Sequence, residues 1–149
     1  MIEINNLTTI KIDEEFLKNI VKKILEEKKK ELNLSIALIG PNRMKKLNKR
    51  YRGKNRVTDV LAFPNQDSEE IVICLREVKK NAKKFNSTFK KELTKVLIHG
   101  VLHLLGYDHE KGEREREEME KEENYYLLQL EKYENTSGDR NYYSKTKRE

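Results

Sequence analysis

Apolar residues recur along this chain with two different periods, and the order of these periods indicates how the chain folds. Short alternating or continuous apolar segments, bounded by polar residues, glycine or proline, are typical of strands. They predict four strands, at residues 2–12, 35–39, 57–63 and 71–74. Pro64 stops the third of these segments, because proline cannot donate a hydrogen bond within a sheet.

Longer segments carry apolar residues three and four positions apart, which is the pattern of a helix with one buried face. Asp13 and Thr88 are suitable N-caps for two of them. Gly53 and Gly106 mark the ends of two helices, since glycine readily adopts the conformation that terminates a helix. The predicted helices cover residues 14–32, residues 41–52, a segment with Val78, Ala82 and Phe85 facing inward, residues 88–105 and residues 113–133.

The helices at 41–52 and 88–105 differ in character. The first has a narrow apolar face formed by Met44, Leu47 and Tyr51, and basic side chains cover much of the rest. The second is apolar nearly all round, so it should be buried on most sides.

The order of the elements predicts a single α+β domain, because strands and helices interleave without an internal repeat. We expect a mixed sheet of about four strands packed with about five helices, around a central buried helix that carries two histidines. The length of 149 residues suits one domain. Residues 1–134 should form this domain, and the polar, patternless residues 135–149 a flexible C-terminal tail.

Composition excludes several classes of protein. Charged residues make up 39% of the chain, yet the apolar segments are too regular for a disordered chain. No run of about 18 apolar residues occurs, so the sequence predicts no membrane span. The single cysteine, Cys74, cannot form a disulfide framework, and the N-terminus lacks the pattern of a signal peptide. We therefore expect a cytoplasmic protein.

Positive charge is concentrated in one segment. Residues 41–58 hold eight Lys or Arg residues and no acidic residue, although the net charge of the whole chain is only +6. In an arbitrary protein such a segment is usually a solvated face, but its charge density also suits a polyanion. Residues 110–134 show the reverse balance, with ten Glu against five Lys or Arg.

All three histidines of the chain lie within the segment IHGVLHLLGYDHE. His99 and His103 are four residues apart, so both imidazoles project from one face of the predicted helix. Gly106 lets the chain reverse, and His109 can return as a third ligand. Three neutral imidazoles around an open position are typical of a catalytic zinc. One histidine on a buried helix is more often a core residue, but three at this spacing favour a metal site.

The same spacing occurs in the H-E-x-x-H-x-x-G-x-x-H motif of metzincin proteases, whose histidines and glycine have these offsets. Here the position after the first histidine is Gly100, where a protease has its general-base glutamate. Without that carboxylate, a water that attacks a peptide lacks its proton acceptor. The spacing therefore predicts a similar metal site, and Gly100 counts against protease chemistry.

Four segments resemble the YbeY family of bacterial metal-dependent endoribonucleases, which mature ribosomal RNA. HGVLHLLGYDH is similar to the family signature H-G-x-L-H-L-x-G-Y-D-H, and LNKRYRGKNRVTDVLAFP to its segment L-N-x-x-Y-R-x-K-x-x-x-T-D/N-V-L-S-F-P, with Ala62 where serine is common. EEIVICLREVKKNA resembles the G-D/E-I-x-I-C block, with Glu69 where glycine is usual. REEMEKEE is similar to the acidic helix that follows. These segments run from about Leu47 to Glu123.

The resemblance implies a single-strand-specific, zinc-dependent endoribonuclease that acts in 16S rRNA 3′-end maturation and late-stage ribosome quality control. His99, His103 and His109 would hold one Zn²⁺ per chain, another divalent metal being the alternative, and Arg52 would join them as a catalytic residue. Its implied partners are single-stranded RNA, the 16S rRNA precursor, the small ribosomal subunit, ribosomal proteins and an assembly GTPase, with no membrane. The implied RNA-binding residues are Arg43, Lys45, Lys46, Lys49, Arg50, Arg52, Lys54 and Arg56.

Two other functions stay open at this point. One is a metzincin-like zinc hydrolase or peptidase, and the other is a non-catalytic RNA-binding assembly factor with a structural metal. A fourth protein ligand would favour the structural metal. The glutamate-rich last helix should lie away from an RNA groove, or meet a basic ribosomal protein.

Three further residues have two interpretations each, and Cys74 has one. Asp108 either orients an imidazole or shapes the turn, and Tyr107 either stacks on a base or packs in the core. Asp59 either positions the site or only ends a strand. Cys74 is interpreted as a small buried apolar residue.

Overall fold

The structure, a computed structural model, describes residues 1–65 and 67–137, the last five of these by their backbone alone. Four strands and five helices follow one another along the chain. They are β1 (Ile2–Asn6), α1 (Glu14–Lys28), β2 (Leu34–Ile39), α2 (Pro41–Arg52), β3 (Val60–Phe63), β4 (Glu69–Cys74), α3 (Leu75–Lys84), α4 (Phe89–Leu104) and α5 (Glu113–Ser137). None of the helices in this part of the chain is long and apolar enough to cross a membrane.

The four strands form one mixed sheet in the order β1-β2-β4-β3. β1, β2 and β4 are parallel, with Ile4 opposite Ile36 and Ile36 opposite Ile71. β3 joins the edge antiparallel to β4, with Leu61 opposite Val72. The prediction of a single α+β domain with a mixed four-stranded sheet and five helices is therefore confirmed.

The sheet is covered on both faces, as the alternation of side chains along its inner strands requires. In β4, Ile71 and Ile73 point to the larger cluster, which α1, α4 and α5 complete. Val72 and Cys74 point to the opposite face, where Met44 of α2 packs on them. Cys74 is fully buried, which confirms that it is a small core residue.

Helix α4 lies at the centre of the domain, in contact with α1, α3, α5, β3 and β4. It begins at Thr88, whose Oγ1 accepts a hydrogen bond from the Lys91 backbone amide at 3.0 Å. Its apolar side chains are buried nearly all round, as predicted. Because five other elements pack against it, α4 is a rigid support for the side chains along its remaining polar face.

Several element boundaries differ from the prediction. β1 ends at Asn6, because the Asn6 side chain accepts hydrogen bonds from the Thr8 backbone amide and hydroxyl and turns the chain there. α1 ends at Lys28, since Lys29 adopts the left-handed conformation that terminates a helix. β3 begins only at Val60. α5 extends to Ser137, so the first residues of the predicted tail are helical, and residues 138–149 lie outside the described residues.

Two aromatic residues expected in the core are exposed instead. Phe85 caps the C-terminus of α3 and is 60% exposed, because the helix ends before its ring can turn toward the core. Tyr51 of α2 is 56% exposed and packs edge-on against Phe63, with the ring centres 5.1 Å apart. The period of apolar residues predicts which face of a helix a residue lies on. It does not predict whether another helix or strand covers that face at the position of the residue.

Gly100 marks the closest approach of α4 to the sheet. A Cβ atom at this position would lie 3.1 Å from Cδ1 of Ile71. We expect Gly100→Val to lower the free energy of unfolding by about 2 kcal/mol, because extra methyl groups in a filled core force the neighbours apart. Urea unfolding of the single variants and of the double variant with Ile71→Ala checks this. Additive losses in the double variant would contradict the contact.

Candidate active site

One pocket of about 600 Å³ opens beside α4 and is lined by residues from six regions of the chain. α4 contributes His99 and His103, and the turn after it contributes His109. Arg52 enters from the end of α2, and Glu123 enters from α5. The structure thus brings together all four residues predicted to be catalytic, although they are up to 57 positions apart.

The turn after α4 returns the third histidine to the pocket. Gly106 has a φ of +103°, a conformation that other residues rarely adopt, and the Tyr107 amide donates a hydrogen bond to the Leu102 carbonyl at 3.1 Å. The rings of His99 and His109 consequently lie with their centres 5.1 Å apart.

Tyr107 fixes this turn to the rest of the domain. Its hydroxyl accepts a hydrogen bond from Lys28 Nζ at 2.9 Å and donates to Glu122 at 3.1 Å, while Lys28 also pairs with Glu122. Burial alone would lower the pKa of Lys28. The hydrogen bonds to Glu122 and Tyr107 outweigh this effect and raise the pKa above its ordinary value, so the lysine stays charged. Tyr107 therefore has a structural role, and it is not among the residues that line the pocket.

His99 is oriented by a carboxylate from another helix. Its Nδ1 lies 2.7 Å from Oε1 of Glu123, whose side chain is only 16% exposed. When Nδ1 carries the proton that binds the carboxylate, Nε2 keeps its lone pair. A carboxylate behind an imidazole is the usual partner of a histidine that ligates a metal.

The histidine nitrogens of the pocket are donors of the kind that a zinc-type ion prefers. Nδ1 of His103 and Nδ1 of His109 are buried without a hydrogen-bond partner among the described residues. Buried polar atoms of this kind call for a partner, and imidazole nitrogens are preferred zinc ligands. In the described part of the chain, however, no three His, Cys, Asp or Glu side chains converge closely enough to hold an ion. The residues fit a metal by their kind and by their location in one pocket, although their side chains do not converge on one point here.

Electrostatics keep one of these imidazoles neutral. Burial is the main cause that lowers the pKa of His103, Asp108 acts in the opposite direction, and the nearby Arg52 lowers it further. A neutral imidazole is the form that ligates a metal. Arg52 lines the same pocket as the histidines, so its charge can act on the same bound group.

The remaining candidates separate into pocket and surface residues. Asp108 lines the pocket, and its Oδ1 accepts a hydrogen bond from the Glu110 amide at 2.9 Å, which supports its role in shaping the turn. This hydrogen bond is the main reason that the pKa of Asp108 is lowered. Asp59 also lines the pocket, and its backbone carbonyl accepts a hydrogen bond from the Cys74 amide at 2.8 Å.

The eight basic residues of the 41–58 segment are all exposed. Within the described residues none of their side chains forms an ion pair, so their charge is available to an external anion. Only one of them, Arg52, lines the pocket. Asn48, which is buried, fixes the loop that follows α2 by donating to the Arg56 carbonyl at 2.9 Å.

Glu123 and Glu92 are among the pocket residues that the sequence analysis missed. The expectation that the glutamate-rich helix lies away from the site is wrong at Glu123, because the end of α4 packs against α5 and brings that carboxylate to His99. Glu92, two helical turns before His99, is a buried carboxylate in the pocket wall. A signal existed for Glu92, since it is a charged residue on a helix that is otherwise apolar. Nothing local distinguishes Glu123 from its neighbours.

Comparison with known proteins finds similar chains. The family model described as Endoribonuclease YbeY matches residues 3–131. A protein of that name from Thermotoga maritima is 42% identical over 120 residues, which are 76% of this chain and 80% of the relative. Another from Persephonella marina is 37% identical over 145 residues, covering 91% and 89% of the two chains.

A solved structure is similar as well. The solution structure of a Thermotoga maritima protein superposes with a TM-score of 0.67 at 33% sequence identity, covering 93% of this chain and 95% of the other. The fold, the pocket and the match over most of the chain lead to one conclusion: the chain belongs to the YbeY family of endoribonucleases.

Proposed function

We propose that this endoribonuclease is metal-dependent, cleaves single-stranded RNA, and acts in the cytoplasm in 16S rRNA 3′-end maturation and late-stage ribosome quality control. The observation that carries the proposal is the pocket in which three histidines and Arg52 meet, next to a basic helix without internal ion pairs. The family resemblance supports the substrate. The proposed partners are the 16S rRNA precursor, the small ribosomal subunit, ribosomal proteins and an assembly GTPase.

His99, His103 and His109 would hold one zinc-type ion, with another divalent metal as the alternative. Such an ion, when bound, supplies Lewis acidity toward phosphoryl oxygens and lowers the pKa of a water molecule. Glu123 holds His99 in position by accepting its Nδ1–H, with 2.7 Å between the two heavy atoms. Burial keeps His103 neutral and therefore ready to ligate.

Arg52 supplies the second positive element of the site. Its guanidinium can donate two parallel hydrogen bonds to the phosphoryl oxygens of the scissile bond, where negative charge increases in the transition state. The other basic residues of α2 and the loop after it lie outside the pocket and would contact the phosphates on either side.

Gly100 argues against a peptidase. A Cβ atom at this position would lie 3.1 Å from Cδ1 of Ile71, so the general-base glutamate of a metzincin would crowd the core here. A structural metal would need a fourth protein ligand beside the three histidines, and complete unfolding on chelation would reveal one.

A cleavage assay with single-stranded and double-stranded RNA of the same sequence tests the proposal. We expect the pure protein to contain about one divalent ion per chain, and to cleave the single strand faster. Chelation should stop the reaction and zinc should restore it. Unchanged cleavage after complete metal removal would contradict metal dependence.

Glu123 provides a further prediction. Glu123→Ala should weaken metal affinity about 10- to 100-fold, because His99 loses the acceptor that fixes its ring. Glu123→Gln should lose less, since its amide oxygen still accepts the hydrogen bond. Competition with a chromophoric chelator measures the affinities. Glu120→Gln, an exposed change on the same helix, is the control, and equal affinities in all three variants would contradict this role.

The basic helix provides another prediction. Changing Lys45, Lys46 and Lys49 to Gln should weaken RNA binding and reduce the slope of log affinity against log salt by about 2, because each phosphate contact contributes roughly 0.7 for single strands. Turnover of bound RNA should hardly change. Fluorescence anisotropy at several salt concentrations measures the slope.

The control carries the same change of charge elsewhere. Lys11, Lys22 and Lys30 are exposed and do not line the pocket, so their replacement by Gln should leave the slope nearly unchanged. Equal slopes for the two triple variants would show that α2 only adds to the overall charge.

A further inference from the structure

The pocket extends beyond the histidines to a second group of side chains that the proposed chemistry does not use. Phe85 and Asn81 enter it from the C-terminal end of α3, and Glu92 enters from α4. Glu92 is two helical turns, roughly 10 Å, from His99 along the helix. This separation is comparable to that between a phosphate and the far edge of a nearby base, so this part of the pocket is placed for a nucleobase.

Phe85 has the properties of a stacking platform. Its ring is 60% exposed although it lines the pocket, and Lys84 Nζ lies 5.6 Å from the ring centre. An exposed aromatic ring beside a positive charge is a recurring surface for bases of single-stranded RNA, because every base has a π face. The core does not require the ring at this position, since the fold leaves most of it uncovered.

Glu92 has the properties of a group that reads a base edge. Glu92 is only 6% exposed. Among the described residues its side chain forms neither a hydrogen bond nor an ion pair. Burial raises the pKa of Glu92, and Lys95 lowers it while Asp59 raises it. The Glu92 carboxylate is thus poorly solvated in the pocket wall, where N–H donors of a ligand would improve its environment.

We infer that Phe85, Asn81 and Glu92 form a nucleobase subsite that selects guanine in the RNA strand. This inference rests on the proposed cleavage of single-stranded RNA. Guanine offers two parallel donors, N1–H and the 2-amino group, which match the two oxygens of an ionised carboxylate. The side-chain amide of Asn81, one helical turn from Phe85, can donate to the guanine O6 atom.

The other bases fit this arrangement less well. Adenine and uracil each place an acceptor on the edge that would face the carboxylate, and cytosine has a single amino donor next to an acceptor. A site that hydrogen-bonds a donor rejects analogues without it, because its own buried polar group then stays unpaired. The subsite should therefore set a sequence preference near the cleaved bond, while the histidines and Arg52 are indifferent to sequence.

The test uses the full-length metal-loaded protein and oligouridine strands that each hold one guanine, adenine, cytosine or inosine. Cleavage rates at low RNA concentration give kcat/KM, and the products give the position of the cut. We expect the wild type to cut at a fixed offset from guanine, and to cleave the inosine strand about tenfold more slowly, because inosine lacks only the 2-amino group.

Three variants separate the contributions. Glu92→Gln should abolish the difference between guanine and inosine and raise relative cleavage at adenine, because an amide can both donate to and accept from adenine. Phe85→Leu should raise KM about tenfold for every base, since stacking does not depend on sequence. Tyr125→Leu, which removes an exposed aromatic ring away from the pocket, should change neither parameter.

The outcomes distinguish this inference from the proposed function. Chelation-sensitive cleavage without any preference for guanine over inosine would overturn the subsite and leave the proposed function intact. Absence of chelation-sensitive cleavage would overturn the proposed function itself. Thermal melting confirms that each variant is folded. If Glu92→Gln is unstable, the wild-type ratio of guanine to inosine cleavage still decides, because equal rates on the two strands would overturn the subsite.

Discussion

Replacing His103 by alanine should slow RNA cleavage by roughly a thousandfold or more and reduce the bound metal to near zero. The physical reason is that two imidazoles bind a divalent ion much more weakly than three, and the Lewis acidity of the ion acts on the charge that develops in the transition state. His103 is the clearest position for this test, because its Nδ1 is buried without a partner and burial keeps the ring neutral.

Metal content by mass spectrometry and cleavage of a single-stranded RNA check this prediction together. Lys111→Gln, an exposed change close to the third histidine and outside the pocket, is the control and should keep the metal. Chelation should also lower the melting temperature of the wild type without unfolding it, since the domain has its own apolar core and binding at a hundred times Kd adds about 2.7 kcal/mol. Full metal occupancy in His103→Ala would contradict the ligand assignment, and complete unfolding on chelation would indicate a structural metal.

Changing Arg52 to lysine should reduce the rate of the chemical step about a hundredfold while RNA affinity changes little. Lysine keeps the positive charge but loses the planar pair of donors that can bind two phosphoryl oxygens at once. Arg52 lines the pocket and lowers the pKa of His103 through its charge, so its guanidinium is close to the proposed metal ligands.

Single-turnover cleavage at saturating protein isolates this effect, because it separates the chemical step from binding. Arg50→Lys is the matched control, since Arg50 is exposed on the same helix, stacks on Tyr51 and does not line the pocket. If Arg52→Lys cleaves bound RNA as fast as the wild type, Arg52 is merely one of the surface cations. Equal losses in both lysine variants would likewise contradict a special role for Arg52.

The end of helix α1 and the exposed ring of Phe85 show where a prediction from sequence goes wrong. The period of apolar residues predicted α1 and its buried face correctly, but its end at Lys28 depends on the left-handed conformation of Lys29, which no side-chain pattern reveals. Phe85 matched the apolar face of α3, yet the helix stops one residue earlier and leaves the ring in the pocket. Errors of this kind arise where the backbone conformation, rather than the pattern of side chains, determines the residue at which a helix ends.

The local sequence by itself determined the elements, the mixed α+β class and the three histidines as one group. These properties follow from contacts along the chain: the period of apolar residues, the capping of α4 by Thr88, and the turn that Gly106 permits between His103 and His109. They are short-range consequences of backbone geometry, so a sequence pattern is sufficient to predict them.

Only the tertiary structure decided what surrounds the histidines. Glu123 is 24 positions from His99 and is one of several similar glutamates on α5, and the packing of α5 on α4 selects it. The same packing of α3 and α4 places Phe85 beside Glu92 in one pocket. Which residues become neighbours depends on which helix faces pack together. This packing is determined by the burial of the whole core, so no single segment of the sequence determines it.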